Sequence, residues 1–399
     1  MKFFINLFLL IYSHIFIFFL IIISPIIRIK IGNIETRTIG NGSISYEIFF
    51  YEKKLKQKKK NEVNIWFHEK KIANKFLLKK FREKFLIFPG ILLFKPFQLI
   101  TRYNLKFLKV DIRIWINGEK LFHISEKKQL CPCKDVNDIL NTFDPLIQFT
   151  PQETEVGFNS LKNLGVNKND SFVCFTNRTP DFKGEIYNCT RNYRFETLID
   201  SANYLSKKNY KIIFMGDPQR NIENYNDKNF IFYSNSKYKN SFMDLFIIYH
   251  CKFFVQSPSG IGQIATMMRK PRLITNYFCL EQAYTESDNL PIIILPKKIL
   301  QMKNMKYLSY EEILKKRICL FQYEHELFNN GYILENNTSK EILDAIIEIE
   351  EKIRNNSFEK NNNDQIFWGK YNKIFNGFGP KKMRISNNFY NSNKSLFEA

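Results

Sequence analysis

The stretch from Tyr233 to Tyr277 constrains the fold more than any other part of this chain. It reads as helix, buried strand, small-residue turn, helix and strand. The apolar run Lys252-Phe253-Phe254-Val255-Gln256 ends in Ser257-Pro258-Ser259-Gly260, and a new helix opens at once. In an open α/β sheet such a turn sits at the carboxyl end of a strand, where ligands bind. Small residues let the backbone approach a ligand closely, and a helix N-terminus offers free N–H groups to an anion. The physics points to a phosphate or diphosphate. On spacing alone, a plain strand-to-helix connection in a nucleotide-free domain fits as well.

The same alternation runs on either side. Ser171–Thr176, Lys211–Met215, Phe230–Tyr233, Leu273–Thr275 and Ile292–Leu295 read as strands, with helices over 193–206 and 241–250 between them. Strands alternating with helices predict a parallel sheet. In the 193–206 helix, Ile199, Ala202, Asn203 and Leu205 are expected to face inward. Further helices are expected over 70–86, 152–164 (ended by Gly165), 309–317 and 338–354. Val63–His68 and Val110–Ile116 alternate as strands. Residues 355–399 are polar and Asn-rich and read as a tail, partly docked through Phe367 and Trp368.

Residues 3–27 are nearly all apolar. As a helix they reach about 37 Å at about 1.5 Å per residue, against a hydrocarbon core of about 30 Å. Only Lys2 precedes them, whereas Arg28, Lys30, Arg37 and the Lys53–Lys60 run follow. The positive-inside rule then places the remainder in the cytoplasm, behind a membrane anchor. Ser13-His14 and Ser24-Pro25 interrupt the stretch, which leaves a half-inserted anchor open. The net charge of +21 suits an anionic partner. The charge is spread along the chain and no ordered nucleic-acid motif accompanies it, so no specific nucleic acid is expected. Seven scattered cysteines argue against a disulfide framework. Cys131-Pro132-Cys133 lacks the further ligands that zinc needs, and no metal site is expected. P-loop, G-x-S-x-G and H-E-x-x-H motifs are absent from the sequence.

Several stations resemble a family of bacterial glycosyltransferase-like proteins found with surface-polysaccharide genes. Phe172-Val173-Cys174-Phe175 with Arg178 resembles the strand and Arg that open the family's second domain. Tyr193-Arg194 with Ile199-Asp200, Met215-Gly216-Asp217, Ser236-Lys237-Tyr238-Lys239 through Phe246, and Cys251–Gly260 are similar to its later motifs. Lys270-Pro271 and Thr275-Asn276-Tyr277 follow in register. Arg37-Thr38-Ile39-Gly40-Asn41 and Glu47 resemble a first-domain segment, with Asn41 where the family carries His. Phe214 stands where it carries Arg, and Arg384-Ile385-Ser386 is similar to a late segment in which Asn387 replaces Pro.

The resemblance implies an α/β protein of two Rossmann-like domains, GT-B-like, behind the N-terminal hydrophobic membrane helix. The expected division is 1–27 anchor, 28–165 acceptor-side domain, 166–335 nucleotide-sugar domain, and 336–399 helix and polar tail. It implies sugar transfer from a nucleotide-sugar to a glycan or lipid-linked acceptor, with no cofactor and no bound metal. Arg178, Arg194, Gly216, Asp217, Ser257, Ser259, Gly260 and Gln263 are the donor- and phosphate-binding candidates. Arg37, Gly40 and Asn41 are the acceptor-side candidates. Glu47 is the candidate general base by motif position, a solvated or salt-bridged Glu being the plain alternative. Each Arg can equally be a surface or interdomain ion pair, and Asp217-Pro218 can be turn chemistry. A non-catalytic scaffold, or a polyanion- or anionic-lipid-binding protein, remains the competing class.

Overall fold

The computed structural model describes residues 2–40, 43–55, 61–103, 135, 137–178, 188–216, 225–280, 283, 291–358, 362–375 and 383–398. The expected strand Val110–Ile116, the Cys131/Cys133 pair, Asn41 and Asp217 lie outside the described residues. The chain divides into two compact units, Met1–Cys133 and Lys134–Ala399.

The first unit runs α1 (Lys2–Ile23), β1 (Arg28–Ile34), α2 (Ser43–Leu55), β2 (Glu62–His68), α3 (Lys75–Arg82), β3 (Leu86–Pro89) and α4 (Gly90–Arg102). Among the described residues its three strands pair in parallel in the order β1-β2-β3. The helix expected over 70–86 is shorter. Asn74 caps it, its side-chain oxygen accepting from the Leu77 N–H at 2.8 Å, and Leu86 already begins a strand. Lys70, Lys71, Glu83 and Lys84 mimic the polar face of a longer helix without sharing the buried stripe of Phe76, Leu77, Leu78 and Phe81.

The second unit opens with α5 (Ile139–Thr142), α6 (Pro151–Asn163), β4 (Phe172–Asn177), α7 (Ile199–Lys207), β5 (Lys211–Gly216) and β6 (Phe230–Ile231). There follow α8 (Ser241–His250), β7 (Phe254–Gln256), α9 (Gly260–Met267), β8 (Arg272–Tyr277), β9 (Ile292–Pro296), β10 (Lys298–Gln301) and β11 (Lys306–Tyr307). The chain closes with α10 (Tyr310–Lys315), α11 (Glu324–Asn329), β12 (Tyr332–Glu335), α12 (Ser339–Asn355), α13 (Asn362–Ile374), β13 (Met383–Ile385), α14 (Asn387–Ser392) and α15 (Lys394–Glu398). Seven strands form one parallel sheet in the order β13-β9-β8-β7-β4-β5-β6, and β11-β10-β12 form a small antiparallel one. β4, β7, β8 and β9 are buried along their whole length, as strands covered on both faces must be.

Chain order reverses between β4 and β7. From β4 the sheet grows one way through β5 and β6, and the other way through β7, β8 and β9. This is a topological switch point, where the connections leave in opposite directions and open a crevice at the carboxyl edge.

Three details depart from the sequence pattern. A 3₁₀ turn over Phe195–Leu198 precedes α7 and shifts its phase, so Asn203 faces solvent while Ser201, Ala202, Leu205 and Ser206 are buried. The division between units falls ahead of residue 166. Helix α6 packs on α8 instead, with Gly157 against the Phe246 ring and the Phe158 ring 5.4 Å from it. The C-terminal segment docks through Phe367 and Trp368 as expected, each 2% exposed, and goes further than the sequence pattern in that β13 joins the sheet beside β9.

Candidate functional site

The carboxyl edge of the seven-stranded sheet gathers polar residues from five strands. Asn177 and Arg178 leave β4, Gly216 ends β5, Gln256 and Ser257 leave β7, Asn276 and Tyr277 end β8, and Lys297 follows β9. Registers Phe175↔Val255 and Asn177↔Gly216 place the ends of β7, β4 and β5 side by side.

At the β7 end, Gln256 and Ser257 are each 1% exposed. Ser257 Oγ, Ser259 Oγ and Gln256 Oε1 are buried and have no hydrogen-bond partner among the described residues. Ser259 is the N-cap of α9, with extended backbone, yet its hydroxyl does not cap the helix. A buried hydroxyl left unpaired costs about 1–3 kcal/mol, so two together at a helix start imply a recurrent acceptor. They stand at the first turn of α9, at the positive end of its dipole, where the Gly262 N–H already donates to the Ser259 carbonyl at 3.2 Å. Gly260 is half-buried at the first position and Gln263 half-buried one turn in.

Gly262 explains how this turn is shaped. A Cβ there would fall 2.0–2.4 Å from the terminal atoms of Gln256, whose side chain fills the space that the glycine leaves. Gly262→Ala is expected to push the Gln256 amide out over the sheet edge. Ala gains roughly 1 kcal/mol of helix propensity, so the change in stability stays small while ligand affinity falls about tenfold. A cycle with Gln256→Ala checks this: additive effects in the double variant would rule out the clash as cause.

Arg178 and residues 192–194 form a second cluster. The Tyr193 N–H donates to the Arg178 carbonyl at 3.2 Å, and the Tyr193 hydroxyl donates to the Thr176 carbonyl at 2.8 Å. These bonds fold the chain back over the end of β4. Arg178 Nε donates to Asn192 Oδ1 at 3.1 Å, so the guanidinium is half-buried and held. Arg194 lies two residues on and is exposed, its carbonyl accepting from Thr197.

Lys297 joins this cluster. It is 2% exposed, and its ammonium donates to the Asn192 carbonyl at 3.0 Å. Burial holds its pKa down to about 8, with Glu324 pulling weakly the other way. Lys297, Asn192 and Arg178 thus form one connected chain of two cations about a shared asparagine. Nothing in the sequence marks Lys297 out, because it is one of 60 Lys and Arg residues. Asn276, at φ +52°, and Asn337 tie the β8 end down, the Asn337 N–H donating to Asn276 Oδ1 at 2.9 Å.

Gly216 is fixed twice over. Its φ is +94°, in the left-handed region, and a Cβ would stand 3.3 Å from the Asn177 carbonyl. Its own carbonyl accepts from Lys239 Nζ at 2.9 Å, bringing a further cation to the edge. The Lys239 segment is pinned by Tyr233, whose hydroxyl donates to Asp244 Oδ1 at 2.8 Å. Phe214 is a core residue, stacked on Phe232 with ring centroids 4.9 Å apart.

The remaining candidates belong to the first unit. Arg37 is exposed and paired with Glu69 at 3.1 Å. Gly40 is buried, and its carbonyl accepts from Ser43 Oγ at 3.1 Å where α2 begins. Glu47 on α2 is 0% exposed, so it is not the solvated residue of the plain alternative. His68 Nδ1 sits 2.8 Å from the Glu69 carbonyl, and Arg82 donates to His68 Nε2 at 3.1 Å. Both ring nitrogens are therefore occupied. Among the described residues no group of three or more His, Cys, Asp or Glu is placed to hold a metal ion.

No protein-family model matches the chain, and no curated protein matches it. Among solved structures it is similar to a glycosyl transferase family 9 protein from Veillonella parvula, at 9% identity over 83% of this chain and 98% of that one, with a TM-score of 0.44. It is also similar to the E. coli ADP-heptose LPS heptosyltransferase II, at 10% identity over 61% and 84%, with a TM-score of 0.36. A UDP-GlcNAc 2-epimerase from Methanocaldococcus jannaschii follows at 13% identity over 67% and 88%, with a TM-score of 0.34. Likeness at this level carries no argument about activity.

Proposed function

We propose that this protein is a membrane-associated glycosyltransferase, moving a sugar from a nucleotide-sugar to a surface-polysaccharide or lipid-linked glycan acceptor. The observation that supports it most is the switch point. It sets two unpartnered buried hydroxyls and the start of α9 beside a strand that delivers Arg178, with Lys297 linked through Asn192.

Transfer breaks the bond between the anomeric carbon and the diphosphate oxygen, so negative charge grows on the departing diphosphate. Fixed N–H groups, hydroxyls and cations stabilise that charge without reorganising. In this reading Ser257, Ser259 and Gly260 bind phosphate, with Arg178, Arg194 and Gln263 around it. Gly216 and Asp217 are assigned to the ribose or the sugar. The first unit takes the acceptor, with Arg37, Gly40 and Asn41 on that side and Glu47 as the candidate base. The reaction in this form requires neither a metal nor a cofactor.

The test is a thermal-shift panel of the full chain in detergent against UDP-, GDP-, CMP-, ADP- and dTDP-sugars. One nucleotide class is expected to raise the midpoint. Arg178→Ala should weaken that ligand by about 10- to 100-fold, the loss of one charge-assisted hydrogen bond of about 1.5–3 kcal/mol. Arg194→Ala, on an exposed side chain, should weaken it less. No shift with any donor at millimolar concentration would reject the reading.

The burial of Phe214 favours a second reading, a non-catalytic scaffold, because a core aromatic cannot offer the cation that the resembled family carries there. Tight donor binding with no transfer to any acceptor would select it.

A further inference from the structure

Helix α1 is long and apolar enough to cross a membrane. Its packing tells against a simple crossing. Ser13, Ile17 and Leu20 lie on one stripe, 0%, 7% and 2% exposed. Ile17 and Leu20 pack in one cluster with Ile31 of β1, Phe67 of β2, and Leu93, Phe97 and Ile100 of α4. One face of the second half of α1 is therefore part of the first unit's core. That unit carries an ion pair, Lys53–Glu62, where β2 begins, and the charged faces of α2 and α3. Such a body does not enter hydrocarbon. Residues 3–12 hold no buried side chain and reach only about 15 Å of the roughly 30 Å required, and beyond them only the outer face of α1, with Ile15, Phe18, Phe19 and Ile22 exposed, is open to lipid.

A second apolar surface adjoins the first. Helix α4, packed on α1, exposes Ile91 (66%), Leu92 (43%) and Phe94 (51%), and β3 leading into it exposes Leu86 and Phe88. Farther along α4 the exposed face turns polar. Lys95, Gln98, Leu99 and Arg102 line an open groove of about 430 Å³. Apolar residues in the first turn, with Lys95 about one turn and Arg102 about three turns beyond Ile91, give the depth profile of a helix whose start lies among acyl chains and whose end meets phosphate headgroups.

We infer that α1 and α4 together form a monotopic surface that enters one leaflet of an anionic membrane, with the chain's N-terminus on the same side as both units. This deepens the membrane association proposed above and rests on it. It gives the first unit a fixed face toward the bilayer, which suits an acceptor held by a lipid.

The test uses the full chain with one epitope at the N-terminus and another at the C-terminus, in sealed inverted inner-membrane vesicles treated with protease. Both epitopes are expected to be cleaved. Protection of the N-terminal epitope with loss of the C-terminal one would establish a full crossing and overturn the inference. A chain that never sediments with membranes would instead remove the membrane reading on which it rests. A second arm addresses α4: Ile91→Glu with Phe94→Glu, both exposed positions, should lower partition onto phosphatidylglycerol vesicles about tenfold with an unchanged unfolding midpoint. Unchanged partition would show that α4 stays clear of the lipid and overturn the two-helix surface.

Discussion

Asp364→Ala is expected to lower the unfolding free energy of the second unit by about 3–5 kcal/mol, the cost of leaving a buried ionic partner uncompensated. Asp364 is 0% exposed and Arg384 is 3% exposed. One carboxylate oxygen accepts from Arg384 Nε at 3.2 Å and the other from the Ile385 N–H at 2.8 Å. The carboxylate thus holds both the charge and the backbone of β13 against the sheet. Trp368 adds a bond from its indole N–H to the Met383 carbonyl at 2.8 Å. A midpoint lower by on the order of 10 °C is expected. Asp364→Asn, which keeps an acceptor but loses the charge, should fall between. A loss under about 1 kcal/mol would mean that residues 355–399 contribute little to the sheet.

Lys297→Met is expected to flatten the alkaline stability profile. Burial lowers the ammonium from an ordinary 10.5 to about 8. Below pH 8 both folded and unfolded chains carry the proton, and the folded state bears the full burial cost. Between about 8 and 10.5 the unfolded chain binds more protons, so stability rises with pH. At about 1.4 kcal/mol per unit, the wild type should gain on the order of 3 kcal/mol across that window relative to Lys297→Met. Urea unfolding of both proteins at pH 7, 8, 9 and 10 measures it, and parallel curves would contradict the buried-cation account. The substitution also releases the Asn192 carbonyl and so loosens Arg178. A parallel loss of donor affinity of about tenfold is expected, and in the wild type the affinity should fall above pH 8. A group held at a cost to stability is the usual mark of a site shaped for binding.

Much of this protein was legible locally. The buried strands, the Ser257–Gly260 turn with a helix behind it and the apolar amino terminus follow from side-chain chemistry within a few residues. Apolar runs, small-residue turns and glycines act through their own backbone and nearest neighbours, so their signal survives in the order of residues. The sequence alone also sets the net charge of +21. Tertiary structure alone decided which pieces meet. The reversal of strand order sets the end of β4, which leads into Arg178, alongside β7, which leads into Ser257, and strand order is set by pairing between distant segments that no local period encodes. The burial of Lys297 and Glu47, the docking of α1 on Ile31 and Phe67, and the inclusion of β13 depend likewise on what packs against them. A lysine or glutamate reads the same in sequence whether water or a folded core surrounds it, and only long-range packing determines which.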